Sequence, residues 1–97
     1  MGFVQILEFD TEQVSEIESL MSEWRTEASD KSTVRHEVVA RDHTRPNHYV
    51  AIIDFPSWED AQRNSKLAET ERFSARMAKL CDGPVKFGDY DVIRDKN

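Results

Sequence analysis

The sequence predicts an α+β domain of six elements in the order strand, helix, strand, strand, helix, strand. Three observations predict it. Apolar residues recur at spacings of three and four over 14–28 and again over 58–80, the period of a helix with one buried face. Four short runs rich in Val, Ile, Phe and Tyr flank those segments. The stretch 54–92 also marks its own boundaries, with Phe55-Pro56-Ser57 as a strand end and helix start and Cys81-Asp82-Gly83-Pro84 as a helix stop.

Residues 3–9 are apolar apart from Gln5 and Glu8, and are expected as the first strand. Asp10 or Thr11 is then placed to cap a helix, with Glu12 and Glu16 near its positive end. Val14, Ile17, Met21, Trp24 and Ala28 share one face of that helix, with Leu20 beside them, while Glu16, Glu23 and Glu27 lie opposite. The helix is expected to fade near Ser29 and Asp30. Residues 33–41 alternate as a second strand, Val34, His36, Val38 and Ala40 pointing one way and Arg35, Glu37, Val39 and Arg41 the other. The polar segment 42–47 contains Pro46 and reads as a hairpin loop.

The third strand, 48–55, is apolar on both faces: Val50 and Ile52 on one, Tyr49, Ala51, Ile53 and Phe55 on the other. Pro56 ends it. Ser57 is a strong N-cap, and Asp60 three residues on approximates a capping box. The helix from Trp58 is expected to break near Asn64 and Ser65, with Thr70 capping a second segment that carries Phe73, Met77 and Leu80. Gly83 supplies a left-handed position and Pro84 blocks continuation. Residues 85–94 form the last strand, Val85, Phe87 and Ile93 on one face and Tyr90 and Val92 on the other. Asp95, Lys96 and Asn97 are a polar tail.

The 97 residues are expected to form one domain, 1–97, with a modest core. Thirteen Lys and Arg against nineteen Asp and Glu give a formal charge of −6, which argues against nucleic acid or an anionic membrane as a partner. The single cysteine, Cys81, rules out a disulfide within the chain and fits a reducing cytoplasm. The N-terminal residues have no signal-peptide pattern, and no apolar run is long enough to span a bilayer.

Two right-handed crossovers around a central hairpin give a ferredoxin-like βαββαβ arrangement, a four-stranded antiparallel sheet with both helices on one face and the first and third strands central. The third and fourth strands are apolar on both faces, whereas a sheet with one wet face alternates apolar and polar. The uncovered face is therefore expected to bury itself against a second copy, giving a homodimer of twofold symmetry.

The pattern Phe55-Pro56-Ser57-Trp58-Glu59-Asp60-Ala61, then Asn64-Ser65, Cys81-Asp82-Gly83-Pro84 and Phe87-Gly88-Asp89-Tyr90-Asp91-Val92 resembles the dimeric α+β-barrel superfamily. More narrowly, it is similar to small bacterial proteins of the antibiotic-biosynthesis-monooxygenase-like type. The resemblance covers nearly the whole chain in element order. It implies two sheets packed into a barrel and a cavity between sheet and helices. It also implies that some relatives oxidise phenolic polyketides with O₂ using neither metal nor flavin, while others degrade haem, respond to stress or have no known activity. Haem-degrading members carry an axial His on the second helix, and this helix has none; stress-responsive members carry a His in the first strand, where this chain has Gln5.

His36 and His48 lie on adjacent strands and are candidates for a general base or proton relay, or else for hydrogen-bonded strand residues. Trp58 and Asn64 are candidates to hold a phenolic substrate or reduced oxygen, a role the resemblance supports; otherwise Trp58 covers a helix end and Asn64 marks the break. Tyr49 and Arg72 are further binding candidates, Arg72 for an anionic ligand. Trp24 reads as core. His43 sits in a polar loop, and Cys81 has no activating partner. No helical His pair and no cysteine ligand pattern is present, so no metal is expected; His36, His48 and Asp54 are the one cross-strand set considered. No cofactor is expected. The function that follows is cofactor-independent oxidation of a small aromatic or polyketide-like molecule, or alternatively non-catalytic binding by a homodimer.

Overall fold

The computed structural model describes residues 2–96; Met1, and Asn97 of the expected tail, lie outside them. The elements are β1 (Phe3–Asp10), α1 (Val14–Glu27), β2 (His36–Arg41), β3 (His48–Phe55), α2 (Trp58–Ser65), α3 (Ala68–Leu80) and β4 (Lys86–Asp91). The sheet order is β2-β3-β1-β4 and every neighbouring pair is antiparallel. This is the ferredoxin-like topology, with the helices on one face and β1 and β3 in the centre.

Register decides what each face carries. On the helix-covered side β1 presents Phe3, Gln5, Leu7 and Phe9, opposite Phe55, Ile53, Ala51 and Tyr49 of β3. Phe9 and Tyr49 stack with centroids 5.8 Å apart, and both are buried. The α1 stripe closes over them through Ile17, Leu20, Met21 and Trp24, and α3 adds Met77. A second cluster, Phe3, Phe55 and Ala61, seats α2 on the strand ends. The open side carries Val4, Ile6 and Glu8 of β1, Val38 and Ala40 of β2, Val50 and Ile52 of β3, and Tyr90 of β4. Gly88 also faces this side: the Tyr90 ring lies across it, with ring atoms 2.7–3.0 Å from where a Cβ would stand.

Several local expectations need correction. Thr11 does not cap α1 in the ordinary way. The helix starts at Val14, and the Thr11 hydroxyl accepts from the Gln13 N–H at 2.9 Å while donating to the Leu80 carbonyl at 2.6 Å. It thereby ties the start of α1 to the end of α3. The expected second strand is shorter than 33–41, and its parity fails at the start. The Ser32 hydroxyl accepts from the Val34 N–H and bends the chain, so Val34 packs on the helix side and Arg35 reaches Asp54 at 3.2 Å. The last strand stops at Asp91, leaving Ile93 exposed rather than on a sheet face.

The second helical region divides at Lys66 and Leu67, slightly beyond the expected break. Ser57 does cap α2, accepting from the Asp60 N–H at 3.1 Å. Thr70 does not cap α3, whose N-cap is the extended Leu67; the Thr70 hydroxyl instead accepts from Trp24 Nε1 at 3.0 Å. Gly83, at φ +91°, provides the left-handed turn after α3.

Candidate functional site

Between the helices and the centre of the sheet lies an open-mouthed cavity of about 70 Å³. Its apolar wall is built from all the covering layers: Leu7, Ala51 and Ile53 from the sheet floor, Met21 and Trp24 from α1, Phe73 and Met77 from α3. Phe87 of the edge strand β4 also contributes, although it is 61% exposed. The break between α2 and α3 makes the cavity's polar side. It lets the chain turn, so that Asn64 from one segment and Thr70 from the other both line the same space.

Asn64 is 7% exposed. Its Oδ1 accepts from the Ser32 hydroxyl at 3.4 Å, and its backbone carbonyl accepts from Lys66 and Leu67 N–H groups. Among the described residues, no protein atom accepts from its Nδ2. Trp24 spends its indole N–H on Thr70, fixing the ring edge and leaving the ring to the cavity. Two polar residues line the cavity from the sheet: Gln5, which donates from Nε2 to Asp89 at 3.2 Å, and Glu37, which pairs with Arg25 at 3.5 Å.

The residues singled out in the sequence are not gathered in one place. Only Asn64 lines the cavity. Trp58 opens α2 and is 52% exposed. Tyr49 is in the core against Phe9, with the Arg41 guanidinium 5.7 Å from its ring centroid. Arg72 lies on the outer groove between α1 and α3, paired with Glu27 at 3.0 Å. His36 and His48 do share a face, but it is the open one. His36 is opposite Asp54, six residues along β3 from His48, so about 20 Å separates their backbones. His48 sits between two carboxylates, Nδ1 3.0 Å from Asp10 and Nε2 3.2 Å from Glu8. Among the described residues, no three His, Cys, Asp or Glu side chains are grouped to hold a metal ion.

The sequence reading passed over Trp24 and Glu37 as site residues. Glu37 had a signal: strand parity puts it on the same side as Val39, which is a helix-covered side, and a carboxylate there is out of place in a core. Elsewhere the charges are structural. Lys31 and Glu69 meet at 2.6 Å, and this hydrogen bond raises the lysine pKa and lowers that of the glutamate. Burial, and then the nearby Asp82 and Asp10, push the Cys81 thiol pKa up, which favours the un-ionised form.

No protein-family model matches the sequence, and no curated protein matches it. Solved structures do. The chain is similar to SnoaB, a cofactor-independent oxygenase from Streptomyces nogalater, with a TM-score of 0.80 at 13% identity over 97% of this chain and 95% of that one. It is similar to Rv0793 from Mycobacterium tuberculosis, with a TM-score of 0.79 at 12% identity over 100% of both chains. An antibiotic biosynthesis monooxygenase gives a TM-score of 0.73 at 14% identity over 97% of this chain and 100% of that one. No helix among the described residues is long and apolar enough to cross a membrane. The chain thus has the fold of the antibiotic-biosynthesis-monooxygenase-like structures.

Proposed function

We propose that this protein takes a small aromatic molecule into the cavity between sheet and helices and oxidises it with O₂, using neither metal nor flavin. One observation carries the reading: an apolar cavity walled by Trp24, Phe73 and Met77 with the unclaimed Nδ2 of Asn64 at its polar side. An aromatic ring finds flat apolar contacts there. A fixed amide N–H is suited to stabilise an oxygen that gains negative charge during reaction. The likeness to a cofactor-independent oxygenase supports the same chemistry. The cavity's size narrows the ligand. About 70 Å³ is well under the ~150 Å³ of a closed apolar cavity that accepts benzene. A single ring partly projecting through the mouth suits it better than a fused polycycle.

The working unit is a cytoplasmic homodimer joined through the open sheet face. Val4, Ile6, Val38, Val50, Ile52 and Tyr90 make that face apolar, and no element among the described residues covers it.

A second reading, non-catalytic binding, is favoured by the cavity having no histidine and only one ionisable side chain in its lining. Oxygen uptake with hydroxylated single-ring aromatics separates the two. Turnover by the wild-type protein is expected to fall about a hundredfold in Asn64→Ala, with the unfolding temperature retained. Unchanged turnover would remove Asn64 from the role, and binding without any oxygen uptake would leave the binding protein.

A further inference from the structure

We infer that Glu37 selects the ligand, requiring a neutral aromatic that presents a hydroxyl donor and rejecting aromatic carboxylates. The inference rests on the cavity being a ligand site, as proposed above, and adds the chemistry of what enters it.

Glu37 is the one ionisable residue among those lining the cavity. Its Cα partner in the register is Ile53, another lining residue, so β2 presents the carboxylate over the same floor that the ring would occupy. The side chain is 22% exposed, and Arg25 approaches it at 3.5 Å, at the outer limit of an ion pair, from a side chain that is itself 46% exposed. That single partner engages one oxygen, Oε1. Among the described residues no hydrogen bond reaches the carboxylate, so its acceptor capacity remains for a ligand.

An ionised carboxylate only accepts hydrogen bonds. A ligand beside it must bring a donor, and a negative ligand meets a like charge that the half-exposed Arg25 offsets only in part. The lining also includes Gln5, Thr70 and Ser74, the first two engaged by Asp89 and Trp24; Asn64 Nδ2, from which no protein atom among the described residues accepts, donates and therefore suits a carbonyl or other acceptor. The cavity thus pairs one acceptor wall with one donor wall. The only arginine near the helices that was expected to attract anions, Arg72, is engaged by Glu27 in a different groove. A phenolic ketone satisfies both walls.

Isothermal titration calorimetry with three probes tests this: para-hydroxyacetophenone, acetophenone and para-hydroxybenzoate. A hydrogen bond to a charged group predicts that the wild-type protein binds the hydroxyketone roughly ten- to a hundredfold more tightly than acetophenone. It should bind para-hydroxybenzoate at least about tenfold more weakly than the hydroxyketone, from like-charge repulsion. In Glu37→Leu, the preference for the hydroxyl should shrink to within about threefold. In Glu37→Gln, which keeps size and an acceptor, the hydroxyl preference should persist in part while para-hydroxybenzoate recovers most of its deficit. Thermal unfolding of each variant shows that the fold is intact. Equal wild-type binding of hydroxyketone and acetophenone overturns the selection by Glu37 and leaves the cavity as a ligand site. Hydroxyl preference undiminished in Glu37→Leu overturns it in the same way. Binding of none of the three probes overturns both readings.

Discussion

The two faces of the sheet are built from the same four strands and are both apolar, yet they differ in how the chain treats them. The helix-covered face carries Phe3, Leu7, Phe9, Tyr49, Ala51 and Phe55, all buried. Two of its polar residues, Gln5 and Glu37, line a cavity at which Trp24 is tied to Thr70 and Asn64 to Ser32. The open face carries smaller β-branched residues, Val4, Ile6, Val38, Val50 and Ile52, with polar groups at its ends: His48 between Glu8 and Asp10, and Asp54 with Arg35. The first pattern is that of a core interrupted by a site. The second is that of an interface, an apolar centre with a polar rim. Alternation along a strand therefore separates two apolar faces, one used for folding and the other left for the proposed assembly.

The difference is broken most severely from the covered side. Phe9 is 1% exposed and stacks on Tyr49, so Phe9→Ala removes a ring from the middle of the core and should cost about 3–5 kcal/mol. Urea unfolding reads the loss as a lower midpoint at an unchanged slope. That is a large part of what a domain of this size has. A loss below about 1 kcal/mol would mean that the covered face is not the principal core. From the open side, Ile52→Asp places a charge at the centre of the apolar patch, opposite Ile6 and Val38. Light scattering is expected to show a dimer for the wild-type protein and a monomer for the variant, with helical content preserved in the far ultraviolet. A wild-type monomer at micromolar concentration would contradict the proposed assembly.

Element order, sheet topology and the face assignment of β3 were legible in the sequence because each rests on local period and on strong stops: Pro56, Ser57, Gly83 and Pro84. The patterns of the third and fourth strands pointed to a sheet with two apolar faces. What was not legible depends on contacts distant in the chain. Thr70 has the chemistry of a cap, but whether its hydroxyl serves its own helix or Trp24 is settled by how α1 and α3 pack, 46 residues apart in sequence. Thr11 is similarly drawn away by Leu80. His36 and His48 were read as lying on adjacent strands, but their distance along the sheet follows from hairpin register, which composition does not encode. Of the candidate site, Asn64 was visible through the family resemblance, a polar residue on an otherwise apolar-patterned helix just before its break. Glu37 was visible only as an oddity of strand parity, and Trp24 was hidden because a cavity wall and a core stripe have the same spacing.

The smallest expected effect lies outside both faces, and it serves as their control. In the loop between β2 and β3, Asp42 Oδ1 accepts from the Thr44 N–H and hydroxyl, each at 2.9 Å, and from the Arg45 N–H at 3.1 Å, while Arg45 pairs with Oδ2. These bonds favour the ionised carboxylate, the Thr44 backbone bond most, and hold its pKa far below the ordinary carboxylate range. The sign follows from the direction. With the folded value below the unfolded one, about 3.9, the loop's contribution is fully present above that value and is lost as pH falls through the folded one. An NMR titration of the Asp42 carboxyl carbon in the folded protein should show no midpoint in the ordinary range, with the Thr44 amide shift unchanged down to the same acidity. Asp42→Asn should lower the unfolding midpoint slightly at pH 7 and leave both the dimer and ligand binding as they are, because the loop lies at the hairpin tip and lines neither the cavity nor the centre of the open face. An ordinary Asp42 midpoint would show that the turn bonds do not hold in solution. A monomeric Asp42→Asn would show that the hairpin tip belongs to the interface, and the open face would then extend beyond the sheet.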